Sequence, residues 1–137
     1  MLPVDIEMVV RLLLAVVLGI LVGIEREVSH RPAGLRTHAL VSLGACLFTV
    51  ISISYFDIDP ARIAAGIVAG IGFIGAGSII ATKGQVQGIT TAASLWCVAA
   101  IGLAVGVGAY VLAVVSAVLV FGILWLKRAK RGQQVLD

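Results

Sequence analysis

Charge is scarce in this chain. Only 12% of its 137 residues are Asp, Glu, Lys or Arg, against about 25% in an average soluble domain. Aromatics make up 6%, and there are three prolines and two cysteines. So little charge excludes a disordered tail, which needs low hydrophobicity and abundant charge. Two cysteines, Cys46 and Cys97, both inside apolar runs, exclude a disulfide-stapled secreted scaffold and show no metal-ligand spacing. Enzyme patterns are also missing: no Ser/His/Asp arrangement, no Walker-type loop and no His/Cys cluster. The segment Gly70-Ile-Gly-Phe-Ile-Gly75 superficially matches a dinucleotide fingerprint. It lies inside an apolar run with no strand before it, so the match is rejected. A non-enzymatic protein with no cofactor is expected.

Apolar residues dominate what is there. They form 61% of the chain, and the mean hydropathy is +1.15. A small globule buries only about two-thirds of its chain surface, so this much apolar area needs lipid around it. Crossing a bilayer takes about 20 mainly apolar residues. Five stretches approach that length, at about 5–24, 37–56, 60–81, 90–105 and 109–126. They use almost the whole chain and leave room for one transmembrane domain, 1–137. The expected fold class is all-α, an integral membrane bundle of five helices. Asp59-Pro60 reads as an N-cap with proline at N1. Thr90 or Thr91 reads as the cap of the fourth helix. Pro32-Ala33-Gly34 separates the first two helices.

The net charge of +3 does not point to nucleic acid, because the basic residues sit at particular membrane edges. Arg26, Arg31, Arg36, Lys83, Lys127, Arg128, Lys130 and Arg131 fall on one side of the five spans. Arg62 falls on the other, with Arg11 inside the first span. The positive-inside rule places the larger group in the cytoplasm. The N-terminus is then outside and the C-terminus inside. Acidic residues precede the first apolar run, without the basic start of a signal peptide, so the first helix is expected to be retained. The expected location is a bacterial-type inner membrane, crossed several times, with lipids as constant partners.

Three features could carry function. The third span reads Gly66, Gly70, Gly72, Gly75, Gly77 and Ser78 within thirteen residues. Small residues at i and i+4 let helix backbones approach closely; glycines can equally break a helix and expose carbonyls to a ligand. Gly19/Gly23 and Gly102/Gly106 repeat the spacing. A second feature is the polar group at the basic edge: Glu25, Arg26, Arg36, Thr37 and His38. Glu25 and Arg36 could meet across the Pro-Gly loop, either as an ion pair that fixes it or as part of a polar site in which His38 titrates. The third is the opposite edge, with Arg11, Asp59 and Arg62. Glu7, one turn before Arg11, and Asp59 are the candidate partners of Arg11, and Arg62 could share Asp59. Asp57 and Asp59 alone are a poor site for a hard cation that wants six or more oxygens.

Several of these segments occur together in one known family. They are Arg11-Leu-Leu-Leu-Ala15, Gly23-Ile-Glu25-Arg26-Glu27, Ala33-Gly34-Leu35-Arg36-Thr37-His38, Asp59-Pro60-Ala-Arg62, Gly70-Ile-Gly72-Phe-Ile-Gly75-Ala-Gly77 and Gly88-Ile-Thr90-Thr91-Ala-Ala-Ser-Leu-Trp96. In this order the chain resembles the MgtC/SapB family of bacterial membrane proteins. The resemblance implies a link to magnesium homeostasis and growth in low magnesium. In some pathogens it implies a link to survival inside macrophages. It also implies action through contact with other membrane proteins, the F-type ATP synthase among them. Some relatives carry a soluble ACT-like C-terminal domain, and this chain is expected to be the membrane domain alone. The leading expectation is a regulator that works through helix contacts, as a dimer or larger homo-oligomer or with another membrane protein. The competing expectation is a small homo-oligomeric transporter or channel subunit for magnesium or protons.

Overall fold

The computed structural model describes residues 5–57 and 59–134. Five helices follow one another: α1 (Ile6–Val28), α2 (Leu35–Tyr55), α3 (Pro60–Gly77), α4 (Ile89–Gly106) and α5 (Tyr110–Gln134). The first four are long and apolar enough to cross a membrane, and α5 contains the shorter apolar stretch Tyr110–Leu126. The chain is a helical bundle built for a membrane.

The fold is the expected all-α bundle, and the connection from α3 to α4 carries a small hairpin in which Ile80–Thr82 (β1) and Gln85–Gln87 (β2) pair antiparallel. The third helix therefore stops at Gly77 instead of reaching residue 81. At the turn, Lys83 and Gly84 both have positive φ (51° and 74°), the backbone of a tight two-residue hairpin turn.

The helix ends also differ from the reading of the sequence. Thr90 and Thr91 do not cap α4; both lie inside it, and Gly88 is its N-cap at φ 90°. Asp59 does cap α3, and Pro60 is in the first turn. The Asp59 side chain makes no capping hydrogen bond, and its backbone is left-handed. α1 runs four residues beyond 24 and carries Glu25 and Arg26 inside the helix. α2 begins at Leu35, so Arg36 and Thr37 are in its first turn. Its first N–H, from Leu35, is capped from α1: it donates to Glu27 Oε2 at 2.9 Å.

Glycine decides which helices touch. A Cβ on Gly19 would lie 2.8 Å from the His38 carbonyl oxygen, and one on Gly23 would lie 2.7 Å from Leu35 Cα. These two glycines seat α1 against α2. Gly102 and Gly106 do the same for α4 against α2, at Ser42 and Thr49. With lipid as solvent, such close backbone packing replaces the hydrophobic drive of a soluble core. The main core joins Ala15, Leu18, Val22, Cys46, Val98, Ile101 and Val105 with Ala113 and Ala117 of α5. A smaller one joins Ala45, Ile71, Leu95 and Ala99.

α3 stands apart. Only 11% of it is buried, against 50% of α4. It is an unbroken helix, so its glycines do not break it. Gly75 alone among them packs closely, against Ala92; a Cβ on Gly66, Gly70, Gly72 or Gly77 would meet nothing within 4 Å.

The side-chain contacts also fix the direction of each helix. The start of α1 meets the turn between α4 and α5, and its end meets the start of α2. Asp5, Glu7, Asp57, Asp59, Arg11 and Arg62 thus gather at one end of the bundle. Arg26, Arg31, Arg36 and Lys83 gather at the other.

Candidate functional site

Two polar clusters occupy the two ends. At the acidic end, Arg11 projects from α1 into the α4–α5 turn. Its Nη1 donates to the Gly106 carbonyl at 2.6 Å, and its Nε to the Tyr110 hydroxyl at 3.0 Å. Its Nη2 pairs with Glu7. Tyr110 in turn donates to Glu7 Oε1 at 3.0 Å, which closes a ring of three side chains. Gly106 is the last residue of α4, so Arg11 places a cation on a helix C-terminus, where the free carbonyls and the dipole both favour it. Gly108, at φ 85°, leaves room for the guanidinium.

Asp59 is not a partner of Arg11. It is exposed in the loop before α3. Arg62 does not share its carboxylate either; the contact between them is from the Arg62 N–H to the Asp59 carbonyl. Arg62 is exposed and borders an apolar groove of about 480 Å³ between α2 and α3. Leu40, Gly44, Phe48, Gly66, Gly70 and Ile74 line that groove.

At the basic end, Glu25 and Arg26 are each 2% exposed. Arg26 Nε donates to Glu25 Oε2 at 2.6 Å, and Ser29 Oγ donates to Glu25 Oε1 at 2.6 Å. The expected pairing of Glu25 with Arg36 does not form. Arg36 points out from the first turn of α2 and is exposed, because the neighbouring Arg26 and Ser29 already satisfy Glu25. With Thr37, Arg36 lines a polar cleft that also includes Glu27, His30 and Arg31.

His38 lies deeper, fully buried. Its Nδ1 is 2.9 Å from the Gly34 carbonyl and its Nε2 is 2.9 Å from Ser94 Oγ. A carbonyl can only accept, so Nδ1 carries a proton. Ser94 Oγ also lies 2.7 Å from the Thr91 carbonyl. Its single proton is given to Nε2 of a neutral ring or to Thr91 when the ring holds two protons. Thr91 and Ser94 are themselves buried.

Between these groups and the hairpin is a cavity of about 230 Å³. Arg26, Arg31, Ser78, Gln87, Thr90 and Thr91 are among its walls. Arg31 Nε is buried without a hydrogen-bond partner. An unsatisfied buried donor costs about 1–3 kcal/mol, and more when charged.

The expected residues therefore fall into three places. Glu25, Arg26 and His38 share the buried basic end, and Arg36 and Thr37 lie on its rim. Arg11 forms the opposite cluster without Asp59 or Arg62. Of the glycines of α3, Gly75 packs on Ala92, Gly66 and Gly70 border the groove beside α2, and Gly72 and Gly77 are exposed. Sequence reasoning missed Tyr110, Ser29, Ser94 and the cavity role of Arg31. Tyr110 is one of only two tyrosines and opens a helix, a signal that could have found it. Among the described residues, no group of three or more His, Cys, Asp or Glu could hold a metal ion.

Apolar helices long enough to span, joined by short loops and clasped by polar clusters at opposite ends, define a multi-pass helical membrane protein. Comparison with known proteins makes this specific. The model of the MgtC family matches residues 12–132, and the chain belongs to that family. It is 43% identical over 129 residues to MgtC of Salmonella typhimurium strain LT2, covering 93% of this chain and 56% of that protein. It is 39% identical over 127 residues to YhiD of Escherichia coli K12, covering 86% of this chain and 59% of YhiD. YhiD carries the provisional label of magnesium transporter in its name. The chain thus spans little more than half the length of these relatives. No solved structure matches it significantly.

Proposed function

We propose that this MgtC-family protein is a non-enzymatic regulator linked to magnesium homeostasis, acting through helix contacts in an inner membrane. One observation carries the reading. The glycines of α1 and α4 are spent on packing inside the bundle, whereas Gly66, Gly70, Gly72 and Gly77 of α3 have open space before them. Gly66 and Gly70, one helical turn apart beside the groove, let another transmembrane helix approach closely there. That groove, between α2 and α3, is also lined by Gly44 and Phe48. The occupant is a second copy of the chain, giving a dimer or larger assembly, or a helix of another membrane protein. In this reading all five helices cross, with the acidic end and N-terminus outside and the basic end and C-terminus in the cytoplasm.

Replacement of Gly70 by Leu tests it. Gly70→Leu is expected to abolish self-association in lipid bilayers, measured by subunit counting, while the variant keeps the melting temperature of the parent. Unchanged association would remove the support from α3. The transporter label on YhiD favours a second reading, cation transport by the assembled protein. Magnesium uptake into liposomes by the purified chain, abolished by Glu25→Gln, would establish transport and displace the regulator.

A further inference from the structure

The cavity at the basic end has the chemistry of an anion site, and no cation-binding or catalytic pattern accounts for it. Arg26 is almost completely buried, its Nε donates to Glu25, and its side chain lines the cavity. Arg31 lines the same cavity, and its buried Nε has no partner. Glu25 is paired with Arg26, and no carboxylate is among the residues that line the cavity. The start of α4 forms another wall. Its N-cap is Gly88, with no side chain to satisfy the first N–H groups, and Thr90 and Thr91 border the space. Two guanidiniums and an open helix N-terminus converge on one space from three segments of the chain.

We propose that this cavity binds a phosphate group. Guanidinium forks and free helix N–H groups are the donors that recognise tetrahedral oxyanions. The size is selective. A volume of about 230 Å³ equals that of roughly seven or eight liquid waters. This holds a phosphate with a few waters and lies below the roughly 300–1,000 Å³ of pockets that enclose drug-sized ligands. Either inorganic phosphate or the headgroup of an anionic phospholipid presents this chemistry, since the cavity lies at a helix end beside the hairpin. The inference stands apart from the regulator reading, which rests on α3.

The test uses the full chain in phosphatidylcholine nanodiscs, titrated calorimetrically with inorganic phosphate. A parallel arm uses nanodiscs containing phosphatidylglycerol, with retained lipid read by native mass spectrometry. Saturable phosphate binding in the first arm, weakened at least about tenfold by Arg31→Gln, supports the site with a soluble source. Phosphatidylglycerol retained by the parent and lost from Arg31→Gln supports it with a lipid source. Arg36→Gln removes an exposed charge outside the cavity and is expected to change neither result. Arg31→Lys keeps the charge but loses the fork, so a smaller loss is expected; it serves as the readout if Arg31→Gln melts early. No binding in either arm, or equal losses in Arg31→Gln and Arg36→Gln, would overturn the proposal.

Discussion

Gly102 of α4 and Ser42 of α2 lie so close that a Cβ on the glycine would sit 2.2 Å from the serine carbonyl oxygen. Backbone cannot yield as a flexible side chain can. The contact therefore fixes the separation of the two central helices.

Gly102→Ala is accordingly expected to push α4 off α2. Overpacking a tight interface typically costs about 1–3 kcal/mol, so a clear drop in melting temperature in lipid or detergent is expected. Gly72→Ala, which meets nothing within 4 Å, is expected to melt within experimental error of the parent. Equal melting of both variants would contradict this account of helix packing.

Removing the Arg11 guanidinium takes away three interactions at once, those with Gly106, Tyr110 and Glu7. Arg11→Met is expected to destabilise by about 2–4 kcal/mol, from hydrogen bonds of a charged donor worth about 1.5–3 kcal/mol each, partly screened at this half-buried position. Tyr110→Phe should cost about 1 kcal/mol. A double-mutant cycle is the check: groups in one network should couple by about 0.5 kcal/mol or more. Strict additivity would show that the ring in the structure contributes no shared energy.

The buried pair Glu25–Arg26 predicts an unusual order among variants. Breaking a buried pair leaves one charge unpaired and costs about 3–5 kcal/mol, whereas replacing both members is often close to neutral. Arg26→Met is therefore expected to melt earlier than the double variant Glu25→Gln/Arg26→Met. Thermal unfolding of the two in the same lipid decides it; a less stable double variant would mean that Glu25 has other essential partners.

Much of the bundle is legible in sequence. Apolar runs located all five helices, since a lipid solvent demands long uninterrupted stretches. The segregation of Arg26, Arg31, Arg36 and Lys83 from Asp57 and Asp59 to opposite ends was equally visible. The hairpin was not. Ile79-Ile80-Ala81 extends the apolar run of the third helix, and hydropathy alone does not distinguish a short strand from a helix end. Lys83-Gly84 between alternating residues was the available signal. The clusters were half legible. Glu7 lies one helical turn from Arg11, so local spacing suffices for that pair. Tyr110 and Ser94 approach Arg11 and His38 across 99 and 56 residues, and no local rule reports such a meeting. The Glu25–Arg36 pairing failed because a residue adjacent in sequence, Arg26, reached the carboxylate first. Spacing also suggested close packing for every glycine pair without telling which faces would meet a neighbour.

The two clusters have a mechanical consequence. α1 is clasped to the α4–α5 turn at one end by Arg11, and to the start of α2 at the other by Glu27. α2 is tied to α4 by His38 and Ser94. A rocking movement that separated these helices at either end would have to break a clasp. α3 is held chiefly by Gly75 and Ile71 and has no side-chain clasp to another helix among the described residues. A displacement of α3 alone would therefore break no side-chain hydrogen bond to another helix among the described residues.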